Sequence, residues 1–265
     1  MTYSKKSLGE YADKLCHAST YEESFLAFDQ YAKELGFESA LYSFIPRIAL
    51  DNKLSLAPVF SVSENYSAEY LEHYMEARFD KDDHIIHLID TGTATAIDWW
   101  DEVENKKLSK NAKEVFVSAK EDYRMANGLS IPTLTGAKGI AAASFISNEG
   151  NAHFKKLKHE NIEALWTSSR LFHNHVMCGT YNFRTFISPL LPNLSKTEQV
   201  VLKYLLEGLT LPDIAKAACK SYKYTENVLR SIRIKMAGLD ENGKPKISKD
   251  LLIHYCGLMG IYDQL

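Results

Sequence analysis

Cysteine is scarce in this chain, and the few present are poorly placed for a covalent frame. Cys16, Cys178, Cys219 and Cys256 lie scattered along 265 residues with no paired spacing. That pattern points to reduced thiols in the cytosol rather than a disulfide scaffold. Long apolar runs are missing as well. The longest nearly apolar stretch, 139–146, falls far short of the roughly 20 residues needed to cross a bilayer. Lys5 and Lys6 have no apolar segment behind them, so no signal peptide is expected and the protein is read as cytoplasmic, with no membrane partner. No phosphate-binding loop, nucleophile elbow or His-Glu-x-x-His pattern occurs, and no constellation for catalysis is visible. His173, His175 and Cys178 match no closed zinc spacing. The expectation is therefore a non-enzyme with neither metal nor cofactor.

What is there is ordinary in bulk and uneven in detail. The hydrophobic share is 45% and the charged share 25%, enough for a proper core, and the length suits two domains. The net charge of −3 hides a division: residues 1–186 balance at −6 and residues 187–265 at +3. Between Lys216 and Lys235 lie Lys216, Lys220, Lys223, Arg230, Arg233 and Lys235 against the single acid Glu226. An acidic domain followed by a smaller one with a concentrated basic segment is the charge layout of a regulator whose small domain meets phosphates.

Periodicity predicts an α+β chain. Phe25, Phe28, Ala32 and Leu35 mark a helix over 21–35, stopped by Gly36. Residues 39–46 and 55–62 read as strands, 66–78 as a helix, 95–99 as extended and 109–126 as a helix. A hairpin pairs 128–134 with 138–147 across Thr135-Gly136-Ala137, and a long helix over 153–177 closes the domain. Helices on both faces of a small antiparallel sheet, an α-β-α sandwich, is the natural packing. The domains are accordingly set at 1–178 and 194–265, with a linker at 179–193 broken by Gly179, Pro189 and Pro192.

The C-terminal domain reads as four short helices with clear start signals. Ser195 and Glu198 form a capping box ahead of Val200, Val201, Leu205 and Leu206, and Gly208 stops that helix. Thr210, Pro212 and Asp213 open the next, over 212–218. A tight turn leads into a basic helix over 222–237, and Ser248 caps a last helix over 249–258. Two short helices, a turn and a basic third helix make a helix-turn-helix.

The segment 194–236 resembles the C-terminal helix-turn-helix of the LuxR family of bacterial regulators, through Leu194-Ser195, Glu198, Val201-Leu202, Leu205, Gly208-Leu209, Ile214-Ala215, Ser221, Leu229, Ile232 and Lys235-Met236. The resemblance implies a homodimer that binds a double-stranded DNA operator. The third helix would lie in the major groove, with Lys223, Tyr224, Asn227, Arg230 and Arg233 facing DNA. Positions 223, 227 and 230 share one face. Tyr224, Thr225 and Val228 depart from the family's usual residues, Glu226 puts an acid where a cation is common, and 240–246 is an insertion. These departures leave open an alternative, a receptor that binds no DNA and silences a related regulator by heterodimerising with it.

The same family's N-terminal domain binds N-acyl homoserine lactones, and its ordered signature is recognisable over 66–144. Tyr66, Tyr70 and Tyr74 repeat every four residues and so line one helix face. Asp83, Trp99, Gly128 and Ser144 follow in the family's order. The resemblance implies that Asp83 accepts from a ligand N–H, which a buried carboxylate needs. Tyr74 and Ser144 would offer hydroxyls to ligand carbonyls, Trp99 would form an apolar wall, and Gly128 would let backbone approach the pocket. Tyr70 stands where relatives carry a tryptophan whose indole N–H holds the lactone carbonyl, so the small-molecule signal is an acyl homoserine lactone or a related compound.

Overall fold

A computed structural model describes residues 5–46, 58–136, 138–179, 185–186 and 192–265. These fall into two compact units, the first ending at Phe186 and the second holding 192–265. Residues 55–57, the turn residue Ala137 and most of the expected linker lie outside the described residues. Phe186, within that expected linker, is buried in the first unit, where its ring stacks 5.2 Å from Tyr21 and packs 5.4 Å from Tyr42.

The first unit opens with α1 (Lys5–His17) and α2 (Tyr21–Glu34), then β1 (Ser39–Pro46) and β2 (Val59–Val62). Next come α3 (Ala68–Glu76), a 3-10 turn at Phe79–Lys81, α4 (His84–Asp90), β3 (Ile97–Asp98), α5 (Trp99–Asn105) and α6 (Lys110–Glu121). The hairpin β4 (Asn127–Gly136) and β5 (Gly139–Ser147) and the long α7 (Asn151–Cys178) complete it. Sequence patterning misses α1, whose fully buried apolar anchors are Tyr11 and Leu15 alone, too few for a visible stripe.

Capping side chains set three helix starts, two that differ from expectation and one, of α4, where no helix was expected. Asp98 accepts from the backbone N–H of Trp100 and Asp101, so the chain leaves its extended path at residue 98 and Trp99 opens a helix. Asp83 caps α4 in the same way, through Ile85 N. Ser67 caps α3, which therefore excludes Tyr66. At the far end of α6, Arg124 takes a left-handed conformation, φ +59, and the helix ends earlier than its apolar spacing suggests.

The strands form one antiparallel sheet in the order β2-β1-β5-β4-β3. Alternation divides β1 cleanly. Tyr42 and Phe44 face the α2/α7 layer, where Phe172 stacks on Phe28 at 4.8 Å and meets Tyr42 edge-on at 5.0 Å. Leu41, Ser43 and Ile45 face the opposite side, toward α3, α4 and α6. The aromatic layer also buries a polar pair: the Tyr42 hydroxyl and His173 Nδ1 share a 2.7 Å hydrogen bond. Burial and the Lys138 charge push the imidazole down to about 4, so it is neutral at physiological pH.

The second unit contains α8 (Lys196–Leu206), α9 (Leu211–Ala217), α10 (Tyr222–Ala237), α11 (Lys249–Leu258) and a 3-10 turn at Ile261–Gln264. The Ser195/Glu198 capping box is fully formed, and Ser221 and Ser248 cap α10 and α11. Thr210 occupies the N-cap of α9 but spends its hydroxyl on Asp213 rather than on a backbone N–H. Ile214, Leu229 and Ile232 are buried at its centre with Val201, Leu202 and Leu252. Glu198 ties the unit together: one carboxylate oxygen takes the Lys235 ammonium at 2.7 Å and the other the Ser231 hydroxyl at 2.8 Å. Burial works against the charge, yet Lys235 and the capping hydrogen bonds hold the carboxyl down at about 2.

Candidate functional site

Between the sheet and α3, α4 and α6 lies a cavity of about 80 Å³. The walls are mostly aliphatic and aromatic, supplied by β1, by Ile85, Ile86 and Ile89 of α4, by Val115 and Phe116 of α6, and by β5. Six of the seven residues expected at a ligand, Tyr66, Tyr70, Tyr74, Asp83, Trp99 and Ser144, line it together.

Gly128 does not line it. A Cβ there would come within 2.2 Å of the Trp99 ring. The glycine therefore gives Trp99 its seat, not a ligand its approach, and any side chain at 128 would displace the indole. Trp100 points elsewhere, donating its indole N–H to Ala126 O at 2.7 Å beneath the Lys120 ammonium.

Polar groups gather in two places. In the first, Tyr74 donates its hydroxyl to Asp83 Oδ2 at 2.7 Å and the Ile85 N–H donates to Oδ1 at 2.8 Å. Burial pushes the Asp83 carboxyl up, against the hydrogen bonds that pull it down. A carboxylate held by neutral donors alone keeps lone pairs that a ligand N–H or O–H can satisfy. Burial also raises the phenols of Tyr66, Tyr70 and Tyr74, the last two markedly, so each is a neutral hydroxyl. The Tyr70 hydroxyl turns to the Val115 carbonyl at 3.5 Å, a long contact.

The second polar group was not visible from the signature residues. Trp99 Nε1 donates to Ser130 Oγ at 2.9 Å, and Ser130 Oγ lies 2.8 Å from Ser144 Oγ. An indole N–H can only donate. Two hydrogen bonds among three protons leave one serine hydroxyl proton free for an acceptor in the cavity. Trp99 is thus a fixed wall as well as an apolar one, and Ser130 is the residue that sequence reasoning missed. Ser130 is directly opposite Ser144 in the β4–β5 ladder. The site can therefore accept at Asp83 and donate at the serine pair, with apolar surface around both.

The residues expected to meet DNA all lie on α10 of the second unit. Lys223, Tyr224 and Asn227 are exposed, but Lys223 pairs with Glu226 at 2.8 Å. Arg230 Nη2 donates to the Gly243 carbonyl at 3.0 Å, and Arg233 Nε donates to the Ile247 carbonyl at 2.6 Å. Both guanidiniums are thus engaged within the unit rather than free along the helix. Among the described residues, no cluster of side chains could hold a metal ion, and no helix is long and apolar enough to cross a membrane.

Residues 20–176 match the family model of the autoinducer binding domain, and the chain belongs to that family. A domain of that family binds a small-molecule ligand rather than a cofactor. No curated protein matches the sequence. Among solved structures, Escherichia coli SdiA is 14% identical with a TM-score of 0.55, the match covering 97% of this chain and 98% of that one. A structure of SdiA in complex with octanoyl-rac-glycerol is 14% identical with a TM-score of 0.52, covering 99% and 98%. At that identity the likeness is one of fold.

Proposed function

We propose that this protein is a LuxR-type transcription regulator in which a small acylated signal, an N-acyl homoserine lactone or a related molecule, occupies the cavity of residues 1–178. Residues 194–265 are then a helix-turn-helix that binds a double-stranded DNA operator as a homodimer, joined through the linker 179–193. The observation that carries the ligand half is the cavity itself: an acceptor at Asp83 and a spare serine proton at Ser130/Ser144, set in otherwise apolar walls. An amide or a hydroxy ester on an alkyl chain offers the matching donor, acceptor and tail. Ligand bound only to the folded unit would stabilise it by about 2.7 kcal/mol at a hundredfold excess over Kd. That energy can shift the population toward a DNA-competent form.

The test is calorimetric titration of the full chain with N-octanoyl homoserine lactone and with octanoyl-rac-glycerol. At least one probe should bind, and Asp83→Asn should weaken it about ten- to a hundredfold, the worth of a hydrogen bond to a charged group. Asparagine still caps a helix, so the variant should fold. Binding of neither probe, or equal binding by the variant, would overturn the ligand assignment. The engaged state of Lys223, Arg230 and Arg233 favours a second reading, a receptor that silences a relative by heterodimerising without touching DNA. Absence of DNA binding even at low salt would select it.

A further inference from the structure

The segment that follows α10 is built with more order than a connection requires. Gly238 and Gly243 take positive φ, +76 and +70, and Leu239 pairs with Pro245 as an antiparallel bridge. The Asp240 N–H donates to Lys244 O at 2.7 Å and the Lys246 N–H to Gly238 O at 3.0 Å. The Asp240 carboxylate turns inward and accepts from the backbone of Asn242 and Lys244. The result is a short, tightly knit hairpin. It is pinned to α10 at two points one turn apart, its tip by Arg230 and the strand leaving it by Arg233.

Arg230 shares its helix face with Lys223 and Asn227. The hairpin tip therefore sits on the same face of α10, immediately past Asn227. Lys244 and Lys246 are both exposed and flank the paired Pro245. Of the hairpin's two acids, Asp240 is spent on the turn, while Glu241 stays exposed on the other side of the tip from the lysines in sequence. Resting on the DNA-binding reading above, we propose that this hairpin is a second DNA-binding element, a wing whose Lys244 and Lys246 meet backbone phosphates beside the groove that α10 enters. Arg230 and Arg233 are then positioning residues that hold the wing in place.

The experiment measures affinity of the full chain for a mixed-sequence 30-base-pair DNA duplex against salt concentration. Each phosphate deprived of its lysine should reduce the slope of log K against log salt by about 0.9. K244A together with K246A should therefore lower it by about 1.8, twice that single-phosphate value, while the backbone bonds keep the hairpin formed. D240A unties the turn and should lower the slope although it removes an acid and keeps both lysines. An unchanged slope in either variant, or tighter binding by either, would overturn the wing. No salt-dependent binding by the unaltered chain would overturn the DNA-binding reading itself, and the wing with it.

Discussion

The cavity of the first unit and the α10 face of the second handle polar groups in opposite ways. In and behind the first, Asp83, Tyr74, Ser130, Ser144, Trp99 and the Tyr42–His173 pair are enclosed and hydrogen-bonded to neutral partners, with spare capacity at Asp83 and the serines. In the second, charge meets charge at the surface, Lys223 with Glu226. Enclosed neutral networks are costly to break and specific in geometry. Paired surface charges are weaker and more exchangeable. The first arrangement suits a selective cavity, the second a face that can trade one ionic partner for another.

The largest expected effect tests the aromatic layer behind the cavity. Phe172→Ala should cost the first unit about 3–5 kcal/mol, the range for truncating a fully buried phenylalanine. Hydrogen exchange should show lower protection across β1 and β5, with the α8–α10 amides unchanged. Equal loosening of both units would mean that they do not fold as separate bodies.

The next effect separates the units by pH. His173 is depressed to about 4, so its contribution is present above about 6.5, the ordinary imidazole value, and fades as pH falls toward 4. The full effect is on the order of 3 kcal/mol. Asp83, being raised, acts with the opposite sign: its contribution is complete below the ordinary carboxylate range and lost as pH rises through its folded value. Glu198 is depressed to about 2 from 4.5, so the second unit should hold until about pH 4.5 and weaken only below it. Exchange measured from pH 7 to 3 should show the first unit loosening before the second. The reverse order would refute the division.

The smallest effect concerns the serine pair. Ser130→Ala leaves the Trp99 N–H without a partner, at a cost of about 1–3 kcal/mol, and should shift tryptophan emission. A Ser130→Thr variant should restore both, because it returns the hydroxyl. No change in stability or emission on alanine substitution would show that Trp99 is held by packing alone.

Much of this was legible in the residues. The tyrosine repeat, Asp83, Trp99 and Ser144 announced a pocket, and the structure brings them to one. The strand at 39–46 and the serine caps at 195 and 248 matched their elements closely, because each depends on local hydrogen bonding and spacing. Trp99 was placed a state away, in a strand, since its apolar neighbours hid the cap that Asp98 provides. Gly128 was assigned to the ligand when its bare backbone is needed by Trp99, a meeting of residues 29 positions apart that no local pattern records.

The sequence by itself determined the capped helix starts at Ser195 and Ser248, the strand at 39–46 and the roll of polar residues available to a ligand, all from interactions within a few positions. Only the tertiary structure decided how those residues meet. The register shift between Pro132 and Leu134 sets Ser130 opposite Ser144; counted from the turn without it, Ser130 would face Phe145. One residue of slip sends a strand's side chains to the other face of the sheet. The joining of Trp99, Ser130 and Ser144, like the seating of the hairpin on Arg230, was therefore settled by long-range packing.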